Sequence, residues 1–153
     1  STSETETEST LEESSSTTNV SVTLSMTSMA GSVSSVTVTE PTSVDTTYTV
    51  TVASYYGSNY FYIDSSRAPT LSLTEGNTYR FDQSDASNST HPLRFSTTSN
   101  GTHGGGSEYT TGVTTNGTPG SSGAYTQITV ASGAPTLYYY CTNHSGMGGQ
   151  LNT

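Results

Sequence analysis

From Asn19 onward the apolar residues of this chain recur at every second position, in short stretches separated by turn residues, and this spacing restricts the fold more than any other feature. Val20, Val22, Leu24 and Met26 share one face of an extended segment, and Val36 and Val38 follow the break at Ala30-Gly31, so two strands are expected before Pro41. Tyr48, Val50 and Val52 form the next strand, and a turn at Gly57-Ser58-Asn59 leads into an aromatic one over residues 60–63. Leu71 and Leu73 follow Pro69. Tyr79 and Phe81 alternate after the turn at Glu75-Gly76-Asn77, and Leu93 and Phe95 follow Pro92. Residues 96–123, rich in Gly, Ser, Thr and Asn, read as a long loop with one edge strand near Tyr109 to Val113. The last strong strands are expected over 124–131 and 136–142. A helix would instead repeat about every 3.6 residues. Its best formers are scarce here, with Lys absent and Leu and Ala few, while Thr, Val and Tyr suit pleated surfaces. The expected class is all-β, a sandwich or barrel of short strands.

The 153 residues leave room for one core and an appendage. Ser and Thr, 28 and 32 residues, outnumber the hydrophobic 29%, so part of the chain is core-poor. Residues 1–18 are an acidic Ser/Thr-rich tail with five Glu and a single large apolar residue, Leu11, and by themselves cannot offset their ordering entropy. Residues 19–45 carry the extra strand pair, a tether or assembly segment, and residues 46–153 suffice for the sandwich. The start at Ser1 without Met suggests a processed or excerpted piece of a longer product. No run reaches the about 18 to 20 apolar residues that cross a bilayer, so no transmembrane segment is expected. A net charge of −9 with only three Arg excludes the basic stripe that nucleic acid requires.

The residues that carry chemistry are Cys141, His144 and Met147 in Cys-Thr-Asn-His-Ser-Gly-Met, with His91 upstream. One thiolate, two imidazoles and one thioether form a soft nitrogen-sulfur donor set suited to copper rather than to magnesium or calcium. Alternation along residues 137–142 points Leu137, Tyr139 and Cys141 to one face, which carries the thiolate to a strand end. A Gly-containing loop can then fold His144 and Met147 back towards it, while His91 opens another strand that could meet the loop at the same end. His103, in Thr-His-Gly-Gly-Gly, reads as a solvated loop residue, and Gly104 to Gly106 make no phosphate cradle because no Lys-Ser/Thr follows. Five Asn-x-Ser/Thr sites, at Asn19, Asn88, Asn100, Asn116 and Asn143, carry little weight in so Ser/Thr-rich a chain. Three His are too few for a trinuclear copper oxidase, and a Cys141–His144 thiol hydrolase leaves Met147 unexplained, so an enzyme is not expected.

An early His, an aromatic strand ending in Cys, then His and Met: in this pattern residues 46–153 resemble the cupredoxins, the blue or type 1 copper proteins. The spacing Cys-x-x-His-x-x-Met is similar to the short-loop, amicyanin-like version. The runs HPLRFSTTSNGTHGGG and LYYYCTNHSGMGG also resemble cupredoxin-type modules of marine viral and environmental surface proteins. The resemblance implies a Greek-key sandwich with a mononuclear copper site. Its ligands are His91, Cys141, His144 and an axial Met147, and the exposed edge of His144 is its electron port. Three features depart from the pattern: Pro92 removes a backbone donor beside His91, the chain's end six residues beyond Met147 leaves little C-terminal strand, and the loop at 96–123 is long and Gly rich.

Two functions follow. In the first, which the surplus N-terminal segment favours, the chain is a structural or assembly subunit of an extracellular, cell-surface or virion structure, built on a cupredoxin-like domain with a mononuclear type 1 copper-binding site, with residues 1–45 mediating self-assembly or contact with other surface proteins. In the other it is a tethered or secreted one-electron carrier whose His144 meets a redox partner protein.

Overall fold

Strand β1 (Thr46–Tyr55) shows how alternation becomes architecture: Val50 is fully buried while Thr47 and Thr49 face solvent. The computed structural model describes residues 43–153; the tail 1–18 and the strands expected around Val20 to Met26 and Val36 to Val38 lie outside the described residues. After β1 come β2 (Ser58–Ile63), β3 (Ser66–Arg67), β4 (Leu71–Ser72), β5 (Thr78–Asp82) and β6 (Leu93–Ser96). β7 (Glu108–Tyr109), β8 (Val113–Asn116), β9 (Tyr125–Thr129), β10 (Leu137–Cys141) and β11 (Gly149–Asn152) complete the order.

These strands form a six-stranded sheet, β3-β2-β1-β5-β9-β8, and a five-stranded sheet, β4-β11-β10-β6-β7. Both are mixed: β1 runs parallel to β5 and β11 parallel to β4, and the other pairs are antiparallel. Val50, Phe61, Ile63, Phe81 and Ile128 from the first sheet join Leu93, Phe95, Leu137, Tyr139 and Leu151 from the second in one buried cluster. The expected all-β sandwich is therefore the observed class. Rings bridge the sheets directly, Phe81 to Phe95 at 5.3 Å edge-to-face and Phe61 to Tyr139 at 6.4 Å. Each such pair adds about 0.5–1.5 kcal/mol beyond its buried area.

Two expectations are corrected. The stretch 96–123 holds two strands, not one, and they belong to different sheets: β7 pairs with β6 and β8 with β9. Both are short and largely exposed, so no apolar alternation marks them. The C-terminus also supplies more strand than its length suggests, because β11 inserts between β10 and β4. Only Leu151 gives β11 a buried face; the strand exists because two neighbours complete its hydrogen bonds. Its approach depends on Gly148, where any Cβ would collide with the Tyr139 carbonyl.

The segment leading to His91 is held by side chains rather than by a ladder. Gln83 is buried, and its Nε2 donates to Asn88 Oδ1 at 3.0 Å and to the His91 carbonyl at 2.8 Å, while its Oε1 accepts from the Leu93 N–H at 2.9 Å. Asn88, fully buried, donates in turn to the Val50 carbonyl at 2.7 Å, which ties the segment to β1 of the six-stranded sheet. A Gln83→Leu variant leaves these groups unpaired in a dry site, at about 1–3 kcal/mol each. Urea denaturation is expected to show a loss of about 3 kcal/mol or more, and an unchanged midpoint would show that the network contributes nothing.

Candidate metal centre

Each of the four residues singled out by the sequence owes its place to a different constraint. Cys141 ends β10, fully buried on the same inward face as Leu137 and Tyr139. His91 precedes β6, and because β6 pairs antiparallel with β10, with Leu93 opposite Cys141, it arrives beside the thiol. The backbone closes the corner where Thr142 N–H donates to the Pro92 carbonyl at 3.1 Å. Pro92 thus serves the pairing through its carbonyl, and its missing donor is not needed there. His144 and Met147 lie in the connection to β11. His144 is exposed, whereas Met147 is buried in the core cluster, with its carbonyl accepting the Phe61 N–H from the opposite sheet at 2.9 Å.

Both imidazoles turn Nδ1 towards the sulfur. Cys141 Sγ lies 3.7 Å from His91 Nδ1 and 3.6 Å from His144 Nδ1, and the three ligand atoms fall within 4.8 Å of one another. The two rings sit 4.5 Å apart, centroid to centroid. A metal bound at about 2.3 Å to sulfur and about 2.0 Å to nitrogen, at angles of about 109° to about 120°, requires S···N separations of about 3.5 to 3.7 Å. The group therefore fits a metal ion in donor type and in spacing, and Met147 lies buried close by.

Protonation fits as well. Burial, and then the neighbouring His144, hold His91 below the usual histidine range, so its imidazole is a neutral donor. Burial pushes the Cys141 thiol up, an effect partly offset by the Asn143 and His144 N–H groups directed at the sulfur.

Three side chains around the ligands were not legible as site residues. His103, expected to be a solvated loop residue, does expose its ring, yet its Nε2 donates to the Cys141 carbonyl at 2.8 Å. Asn143 donates to the Thr90 carbonyl at 3.0 Å, tying the ligand loop to the His91 side. Asn100 donates to Ser145 Oγ at 2.8 Å and accepts from the Gly146 N–H at 2.9 Å. Two of these are Asn-x-Ser/Thr positions, as are Asn88, which is fully buried, and Asn116, whose amide bonds the Gly123 carbonyl at 2.9 Å. In the structure these four amides serve as hydrogen-bonding groups; Asn19 lies outside the described residues.

A metal must displace the Cys141 proton, because the thiolate is the ligand. With the thiol raised and His91 already neutral, a metal bound here is expected to release the thiol proton at about pH 7, with affinity rising about tenfold per pH unit up to the thiol's own range. Calorimetric titration in buffers of different ionisation enthalpy measures this release, and a pH-independent affinity with no proton released would place the thiol outside the coordination. Comparison with models of protein families, with curated proteins and with solved structures finds no match to this chain, so the reading rests on its own residues and their geometry.

Proposed function

We propose that residues 46–153 form a cupredoxin-like module that binds one copper ion in a mononuclear type 1 site and exchanges single electrons with a redox partner. The observation that carries this reading is the convergence of Cys141 Sγ with His91 Nδ1 and His144 Nδ1 at 3.7 and 3.6 Å, with Met147 buried beside them. Two imidazoles, a thiolate and a weak thioether suit copper in either oxidation state, and copper in such a set supplies reversible one-electron chemistry. The chain's own residues do the rest. Cys141 at the end of β10 and His91 just before the paired β6 would hold the ion, and Met147, kept in the dry core with its carbonyl accepting the Phe61 N–H, would offer its thioether. His144 leaves its ring accessible where a partner protein would dock.

Titration of the purified chain with Cu(II) tests this. An intense visible thiolate-to-copper band is expected, absent in Cys141→Ser, together with a stabilisation of about 4 kcal/mol at a thousandfold excess over the dissociation constant. No band and no rise in melting temperature would overturn the reading.

Self-assembly through residues 1–45, in an extracellular or virion surface structure, is the second reading. It is favoured by β8, an outer strand of its sheet among the described residues, whose exposed Thr114, Thr115 and Asn116 carry no charge to deter an added strand. The alternating segment Val20 to Met26 has the pattern such a strand needs. Asp45 accepts from the Thr78 N–H at 2.8 Å, so a truncation that spares the sandwich removes residues 1–42 only. Light scattering is expected to show oligomers of the full chain and monomers of the truncated one, with copper binding retained; normal assembly of the truncated chain rejects this role.

A further inference from the structure

We propose that the turn over residues 98–106 is a clasp that positions the metal ligands, with Asn100 and His103 as its positioning residues, an inference that rests on the copper reading above. The sequence of this stretch suggests an open loop. The chain instead forms a tight 3-10 turn over Gly101–Gly104, and its contacts converge on the ligand loop. His103 Nε2 bonds the carbonyl of Cys141 at 2.8 Å, and its ring meets Tyr140 edge-on at 6.4 Å. Asn100 bonds Ser145 Oγ at 2.8 Å and the Gly146 N–H at 2.9 Å. The clasp therefore grips the loop at Cys141 and again between His144 and Met147, on both sides of the exposed imidazole.

Two features show that the turn is shaped for this grip. Gly101 lies so close to Tyr140 that a Cβ would sit 2.5 Å from the ring, so any side chain there would lift the turn away from β10. Asn100 adopts φ 64, a left-handed conformation that a non-glycine residue adopts at a cost, although Asn tolerates it better than most; both of its side-chain bonds require it to be there.

The chemistry gives the clasp a purpose. Apart from the buried Met147, the loop is made of Thr, Asn, Ser and Gly around the exposed His144 and has little packing of its own, and metal sites require donors held within about 0.5 Å of productive geometry. Hydrogen bonds to ligand residues do this, and their loss typically lowers metal affinity about 10- to 100-fold. Because Asn100 and His103 are themselves exposed or half-exposed, removing them costs the metal-free fold little.

The test compares copper affinity, the thiolate-copper absorption band and the metal-free melting temperature in the wild-type chain, His103→Ala, His103→Gln and Asn100→Gly. Asn100→Gly keeps the left-handed turn and deletes both bonds; His103→Gln keeps a donor of similar reach. The expected result is a 10- to 100-fold loss of affinity and a shifted or broadened band in His103→Ala and Asn100→Gly. The metal-free melting temperature should stay near wild type, and His103→Gln should recover much of the affinity. Wild-type affinity and band in both deletion variants, or a loss that merely follows a fall in metal-free stability, would overturn the clasp while leaving the copper reading intact. Absence of copper binding by the wild-type chain would overturn the copper reading, and the clasp with it.

Discussion

The antiparallel pairing of β10 with β6 is the contact on which the rest of the molecule depends. Its register, from Tyr138 opposite Ser96 to Cys141 opposite Leu93, sets the inward face of the second sheet and brings His91 beside the thiol. A slip of one residue would turn Leu137, Tyr139 and Cys141 outward and send Tyr138 and Tyr140 into the core. The same register is defended from several directions: Gln83 and Asn88 hold the approach to His91, Thr142 bonds Pro92, and β11 covers the other side of β10. The core and the candidate metal centre are thus set by one choice.

This economy has an energetic consequence for the thiol. Burial favours the protonated, uncharged form of Cys141 and the neutral form of His91, so the metal-free site is compatible with a dry core. A bound cation would replace the thiol proton and neutralise the thiolate. Met147 would add a soft, uncharged thioether that the core already buries as an apolar side chain. Only His144 reaches solvent, which leaves the site with one accessible ring.

Much of this was legible in the chain, and the parts that were not share a cause. Alternation located β1, β2, β5, β6, β9 and β10, because each places at least one large apolar side chain in the core and carries further apolar residues at every second position on that face or just beyond its end. It did not locate β7, β8 or β11, which are short and, apart from Leu151, offer little to bury. The donor set could be read because Cys141, His144 and Met147 lie within seven residues and their chemistry is rare in this composition. The roles of His103, Asn100 and Asn143 could not be read. Each acts through hydrogen bonds to residues 38 to 53 positions away, and Asn and His occur in solvated loops just as readily.

The sequence by itself determined the strand class, the inward face of the Cys141 strand and the soft nitrogen-sulfur character of the candidate ligands, since these depend on residue type and on spacing along a few positions. Only the tertiary structure decided that His91, fifty residues before Cys141, arrives 3.7 Å from its sulfur, and that a glycine-rich turn packs over Tyr140 with Asn100 bonded to Ser145 and Gly146. Those outcomes depend on sheet register and on close approaches between distant backbones, which are settled only when the two sheets pack.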